Sequence, residues 1–267
     1  MAVPVLTAAA DHLIAMKRTL DEPVQTLAPW GALRRVLLLS ARSSWLVDPN
    51  IGTVDRIERS LNARWSDIRE SASLARTASQ RQGRAAGDSQ GIAIITPEEF
   101  HPASREEQVR ETGRRLGLHT VRDPRKRDWI GHVPPSDTKL IRDTFDAEFE
   151  WKLLSAIEHG RSWALISLGY HRLPEQLSST LGAIEQEMTI VGFQWLVMSG
   201  FEWFCRPTWN YFALFGWDLT EAARVLDSFA DDLMLKPGQR FWRDERTLHG
   251  TTALNDLRTT GTYQPLT

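Results

Sequence analysis

The sequence predicts an all-α fold, a single-domain helical bundle around a long buried central helix. Two observations indicate this class. Apolar residues recur every three or four positions through most of the 267 residues, a spacing typical of amphipathic helices. One stretch, from Pro174 to Trp217, is apolar over a greater length than any other part of the chain. A chain of this length fits one helical domain with long loops.

The stretch after Pro174 is predicted to form the central helix. Its apolar residues cover opposite sides of a helix: Ile184, Met188, Val191, Trp195 and Met198 on one, and Ile190, Val197, Phe201 and Phe204 on the other. A helix that is apolar all round must be buried. Pro174 suits the first turn, and Pro207 is expected to end the helix near Cys205 or Arg206 because proline cannot donate the next backbone hydrogen bond.

The central helix is not predicted to cross a membrane. The uncharged run between Glu187 and Glu202 has 14 residues, and a membrane-spanning helix needs roughly 20 apolar residues. We therefore expect a core helix and no membrane partner.

The other helices are predicted from the same periodicity. In chain order they span about Thr7–Leu20, Trp30–Val47, Thr53–Ala78, Ser104–Leu116, Ser136–Gly160 with a break near Phe145, Ser162–Leu168 and Leu219–Leu233. Mobile loops are expected near 79–103 and 120–135, with an edge strand or extended arm at Ile92–Ile95 and a polar surface tail from Lys236.

Composition narrows the function classes. A net charge of -2 and a pI near 6.4 argue against a general nucleic-acid binder, although local basic patches leave such a partner open. The single cysteine, Cys205, excludes an internal disulfide framework and a multi-cysteine zinc site.

Met1–Leu20 has no basic leader, so no secretory signal is predicted and a cytoplasmic location is expected. No phosphate loop, HExxH, CxxC or nucleophile-elbow motif is present, and we predict neither a cofactor nor a metal.

The aromatic segment is the basis of the leading functional hypothesis. Between Phe193 and Trp217 the chain has ten aromatic residues, each able to bury about 150 to 250 Å². This segment is predicted to be core, to line an apolar pocket or to form an oligomer interface. We expect a non-enzymatic protein that binds an apolar or aromatic small molecule, or a partner chain. The candidate binding residues are Trp195, Trp203, Trp209, Tyr211 and Trp217. A structural homo-oligomer with an aromatic interface is an alternative.

A polar stripe supports a different function. Glu148, Lys152, Ser155 and His159 share one helix face, with His159 in the last turn, where the helix dipole favours a cation. Arg64 lies at the edge of an apolar stripe, where a guanidinium must be paired, snorkel or hold an anion. The alternative is therefore a phosphate-directed enzyme, in which His159 or His119 is the general acid or base and an arginine binds the anion. Its catalytic candidates are His159, Arg64, Arg42 and Ser155.

Two resemblances accompany these candidates. Arg114 and His119 are separated by four residues, which resembles the HEPN group of helical ribonucleases. That resemblance implies metal-independent cleavage of RNA, with the arginine and the histidine positioning and protonating the substrate. Gly117 departs from the pattern, because it is expected to end the helix between them.

The segments WLVDPNIG, RSLNARWSDIRE and LLSAIEHG resemble an uncharacterised family of helical bacterial proteins. This resemblance covers about half of the chain and implies an all-helical fold without an established activity. Arg42, Arg64, Ser155 and His159 lie in or beside these segments, and they are the positions that a common site would use.

Overall fold

The computed structural model describes residues 1–19, 27–84, 101–167, 170–176, 182–186, 190–218, 220 and 224. The helices are α1 Ala2–Thr19, α2 Ala28–Leu46, α3 Thr53–Arg84, α4 Pro102–Arg115, α5 Asp137–Phe145, α6 Glu148–Glu158, α7 Ser162–Ser167 and α8 Ile190–Leu214. The strands are β1 Thr120–Arg122, β2 Asp128–Ile130, β3 Tyr170–Gln176 and β4 Gly182–Gln186, which form two antiparallel two-stranded sheets, β1–β2 and β3–β4. The predicted all-α class is confirmed, because helices make up most of the described chain.

The chain divides into two compact units, Met1–Asn210 and Tyr211–Thr267. The first unit contains α1 to α7, the four strands and most of α8. The predicted last helix, the Ile92–Ile95 segment and the tail from Lys236 lie outside the described residues, apart from Thr220 and Arg224.

Helix α2 is the buried central helix of the first unit. Its buried residues cover most of the helix surface and leave the side of Arg35 and Arg42 exposed. They are Pro29, Trp30, Leu33, Val36, Leu37, Leu38, Ser40, Ala41, Ser43, Ser44 and Leu46. It packs against α1, α3, α5 and α6. The predicted bundle around a buried central helix is thus present. The central helix is α2, whereas the sequence predicted that the helix after Pro174 would take this position.

The boundaries predicted for that later helix are wrong. Pro174 lies in strand β3, where the pairing with β4 shifts register between Arg172 and Gln176. Proline has no N–H to donate, so such an irregularity accommodates it. Helix α8 begins at Ile190 and continues through Pro207 to Leu214. We attribute this continuation to packing, because Trp203 and Trp209 on either side of the proline are both buried.

Helix α8 packs closely on α1 and α2. A Cβ atom added at Gly200 would lie 2.9 Å from Leu33 Cδ1 and 3.5 Å from both Leu13 Cδ1 and Met16 Cε. Nearby, the rings of Trp30 and Trp195 approach to 5.9 Å between centroids. The absence of a side chain at Gly200 therefore allows the helix to approach its neighbours.

A second core joins α3, α4 and the β1–β2 hairpin. It consists of Leu61, Trp65, Ile68, Ala72, Val109 and Ile130. The hairpin pairs Thr120 with Ile130 and Arg122 with Asp128, within the segment 120–135 that was predicted to be a loop. Helix α3 also extends to Arg84, beyond its predicted end at Ala78. Burial of Ile130 explains why the hairpin is ordered against α3.

Candidate functional site

A cleft of about 540 Å³ runs along the first three turns of α3. Its lining from α3 is a single helix face with residues three or four apart: Thr53, Arg56, Ile57, Ser60, Leu61 and Arg64, and Met1 of the chain's start completes it. Ile57 is half-buried and supplies apolar surface, and Leu61, a residue of the second core that is 8% exposed, reaches the cleft with one edge. We call this feature the α3 cleft.

The far side of α3 is fixed by two buried polar side chains. The Asn62 amide donates to the carbonyl oxygens of Ile130 at 2.8 Å and His132 at 3.1 Å, and its Oδ1 accepts from Ile130 N at 2.8 Å. The Glu58 carboxylate accepts from His132 N at 2.9 Å. Glu58 lies directly over Gly131, whose φ of 66° suits glycine. These bonds join α3 to the residues that follow β2, so the helix that lines the cleft is held in place.

Neither arginine of the cleft forms an ion pair with a carboxylate of the described residues. Arg56 Nη2 donates to the carbonyl oxygens of Asp48 at 2.9 Å and Ile51 at 3.1 Å, and its buried Nε has no acceptor there. Arg64 is exposed. Within the described part of the chain, ion pairs are formed by Arg34, Arg35, Arg42, Arg59, Arg110, Arg114, Arg115, Arg122, Arg127 and Arg142.

The four predicted catalytic residues have separate surroundings. Arg42 forms an exposed pair with Asp137 at 3.1 Å. Ser155 Oγ accepts from Arg34 Nε at 3.0 Å. His159 is exposed at the C-terminal cap of α6, and Arg64 lines the α3 cleft. None of the hydrogen bonds and ion pairs among the described residues joins one of the four to another.

Arg34 is a residue that the sequence did not single out. It pairs with Glu158 at 2.5 Å and its guanidinium carbon lies 4.1 Å from the ring centroid of Trp151. Burial lowers the pKa of Arg34, and Glu158 opposes that effect. Its contacts join α2 to α6 and use one residue of the polar stripe, Ser155, whereas Lys152 and His159 of that stripe are exposed.

The arginine and histidine of the HEPN-like spacing also lie apart in secondary structure. Arg114 is in the last turn of α4 and pairs with Glu107 and Glu111. His119 is exposed and precedes β1. Gly117, with a φ of 73°, ends the helix between them, as predicted.

The predicted ligand-binding aromatics divide into two groups. Trp203 and Trp209 are buried in the first unit, and Trp195 is half-buried beside Trp30. Tyr211 and Trp217 belong to the second unit, where they pack with Phe212 and Phe215 at centroid distances of 4.8 to 6.3 Å. We call this second group the aromatic cluster. Phe215 and Trp217 are 56% and 54% exposed.

The free thiol of Cys205 lies in an environment that disfavours its ionised form. Burial raises the pKa of its thiol, and the nearby Glu202 carboxylate adds to the effect. A thiol with a raised pKa is a poor nucleophile near neutral pH. Within the described residues, no three histidine, cysteine, aspartate or glutamate side chains lie close enough to hold a metal ion.

The sequence pattern indicated one polar residue of the α3 cleft, Arg64, at the edge of the apolar stripe that contains Ile57 and Leu61. Arg56 and Ser60 were not predicted. The signal was a second line of residues: Arg56, Ser60 and Arg64 follow one another every four positions, beside the apolar stripe.

No helix in the described ranges is long and apolar enough to span a membrane.

Comparison with known proteins gives no further assignment. Comparisons of the chain with family models, curated proteins and solved structures found no match. The helical fold implied by the resemblance to an uncharacterised family is present in the structure.

Proposed function

We propose that this protein binds an apolar small molecule in the α3 cleft. The observation that carries the proposal is the cleft itself, whose volume of about 540 Å³ falls within the roughly 300 to 1,000 Å³ usual for ligand sites. Ile57 and Leu61 offer apolar contact, and Ser60, Arg56 and Arg64 offer a few polar groups. This combination of apolar surface and few polar groups is typical of small-molecule sites.

The proposal keeps the binding function expected from the sequence and moves its site. Trp203 and Trp209, two of the aromatic residues first expected to contact a ligand, are buried in the core. The α3 cleft is open to solvent, and its helix is held from behind by Glu58 and Asn62. A preformed wall favours binding, because less conformational freedom is lost when the ligand enters.

Blocking the cleft tests this function. Ser60→Trp places an indole in the α3 cleft, whereas the matched change Ser71→Trp places one on an exposed position of the same helix. Nile red is the neutral fluorescent probe, and binding is measured as a saturable rise in its emission. We expect Ser60→Trp to abolish this rise and Ser71→Trp to retain it.

Both variants should keep the circular dichroism spectrum of the unchanged protein, since neither position is buried. Equal dye binding by the unchanged protein and Ser60→Trp, or no saturable binding by any of them, would refute the cleft as the ligand site.

A second candidate function is self-association through the aromatic cluster. The specific observation is the exposure of Phe215 and Trp217 within four packed rings. The run from Pro207 to Trp217 has no charged residue, and interfaces between identical subunits are rich in aromatic residues and depleted of charge at their centres. We propose a second copy of this chain as the partner. The phosphate-directed and ribonuclease-like alternatives stay predictions of the sequence.

A further inference from the structure

The two arginines of the α3 cleft indicate which chemical class the ligand belongs to. We propose that the ligand is a free single-chain carboxylate, with its apolar part along Ile57 and Leu61 and its carboxylate on Arg64. This inference rests on the proposed binding function and adds the identity of the head group to it.

Arg64 is the available cation. It lies one helical turn beyond Ser60 on the same face, and it is exposed. No carboxylate oxygen of the described residues lies within 4.0 Å of its guanidinium nitrogens, the limit for an ion pair. Asp67, one turn further along α3, forms no ion pair with it either. A guanidinium presents a planar fork of N–H donors that matches a carboxylate in a bidentate pair. Arg64 is therefore free to bind an anionic head group.

Arg56 contributes positive charge in a fixed position. Its Nη2 is bound by the carbonyl oxygens of Asp48 and Ile51, which are neutral groups and leave the charge uncompensated. The nearby Asp48 carboxylate pairs with Arg59 at 3.4 Å. Among the described residues, the lining of the cleft thus contains two guanidinium groups and no carboxylate. This charge favours an anion and disfavours a cation of similar shape.

The apolar part of the ligand follows from the order of residues along α3. Ile57 and Leu61 come before Arg64, and seven residues of helix from Ile57 to Arg64 correspond to about 10 Å. A chain of about this length lies on both apolar side chains while its end group contacts the guanidinium. An inorganic anion would use Arg64 but leave the apolar surface of Ile57 and Leu61 exposed.

The test compares two ligands that differ only in the head group. Decanoate and decan-1-ol are added below their aggregation limits to compete with Nile red, in the unchanged protein and in Arg64→Gln and Arg76→Gln. Arg76 is an exposed arginine of α3 outside the cleft, so its variant is the matched control. We expect the unchanged protein to prefer decanoate. Arg64→Gln should weaken decanoate binding about tenfold without changing decan-1-ol binding, and Arg76→Gln should change neither.

Different outcomes distinguish failure of the carboxylate assignment from failure of the proposed binding function. Equal binding of both ligands, with Arg64→Gln unaltered, would overturn the carboxylate assignment while blocking by Ser60→Trp still supported an apolar site. Failure of both ligands to displace a dye that Ser60→Trp excludes would overturn the carboxylate assignment alone, whereas the absence of saturable dye binding in the unchanged protein would overturn both proposals. Displacement by inorganic phosphate at the same concentration as decanoate, or binding only to anionic lipid vesicles, would overturn the free single-chain ligand.

Discussion

Individual buried polar side chains stabilise the β1–β2 hairpin and attach it to α3. The Asp123 carboxylate accepts hydrogen bonds from Arg127 N at 2.8 Å, from Arg127 Nε at 2.7 Å and from Trp129 Nε1 at 3.2 Å. Burial on its own would raise the pKa of Asp123, but the donors from Arg127 and Trp129 outweigh it and lower the pKa to about 2. The ionised carboxylate is therefore the form that the folded hairpin prefers.

This preference predicts a pH dependence of stability. Because the folded pKa of Asp123, about 2, lies below its ordinary value of 3.8, the stabilisation is fully present above about pH 4 and is lost as the pH falls towards 2. We expect Asp123→Asn to have a lower urea midpoint than the unchanged protein at pH 6. The difference should shrink steadily between pH 4 and pH 2.

The exposed Asp11 of α1 provides the control, since Asp11→Asn should leave the midpoint unchanged at pH 6. A deficit of Asp123→Asn that stayed constant from pH 6 to pH 2 would contradict the role given to the charge.

Residue patterns predicted some of these contacts and not others. Leu61, Trp65, Ile68 and Ala72 follow helical spacing, so their burial was expected from the sequence. Glu58 and Asn62 are polar residues on the same helix, and polarity alone predicts exposure. Their burial depends on the backbone of Ile130 and His132, which lies about 70 residues away and whose position no local pattern specifies.

At the scale of elements, the packing of α8 depends on one glycine. Gly200 faces the fully buried Leu33 of α2 and Leu13 and Met16 of α1. Gly31, in α2, has no neighbour within 4 Å of an added Cβ. The two helical glycines thus differ in their surroundings, although both are unremarkable in the sequence.

This contrast predicts opposite tolerance of larger residues. Gly200→Val should destabilise the protein by about 1 to 3 kcal/mol, because the added atoms overlap Leu33 in a packed core. Gly31→Val should change stability by less than about 0.5 kcal/mol, since valine and glycine have similar helix propensities and space is available. Urea unfolding followed by circular dichroism measures both. Equal stability of the two variants would show that α8 does not pack on α2 through Gly200.

The predicted element boundaries failed where local signals were ambiguous. Apolar residues such as Ile184 fit a helix by spacing, but the same short run also fits a strand, and β4 is a strand. Pro207 was expected to end a helix, yet α8 continues past it for seven residues to Leu214. Proline removes one backbone hydrogen bond, and the burial of Trp203 and Trp209 compensates for that loss.

At the scale of the whole molecule, the exposed aromatic cluster of the second unit predicts self-association. The expected result is a sedimentation coefficient that rises with protein concentration, because two copies bury Phe215 and Trp217 against each other. The double variant Phe215→Ser with Trp217→Ser should sediment as a monomer throughout.

Phe149→Ser is the matched control for this experiment. Phe149 of α6 is 71% exposed but forms no part of the aromatic cluster, so its removal should leave the association intact. A concentration-independent monomer in the unchanged protein would refute the second candidate function.

Residue spacing predicts the helical class, the burial of the apolar stripes and the position of Arg64 beside one of them, because these follow from a periodicity of three to four residues. Long-range packing makes α2 the central helix, places Trp203 and Trp209 in the core, and forms one cleft from Arg56, Ser60 and Arg64. The physical reason is that spacing shows which face of a helix is apolar, whereas the neighbour that covers that face, or leaves it open, comes from distant parts of the chain.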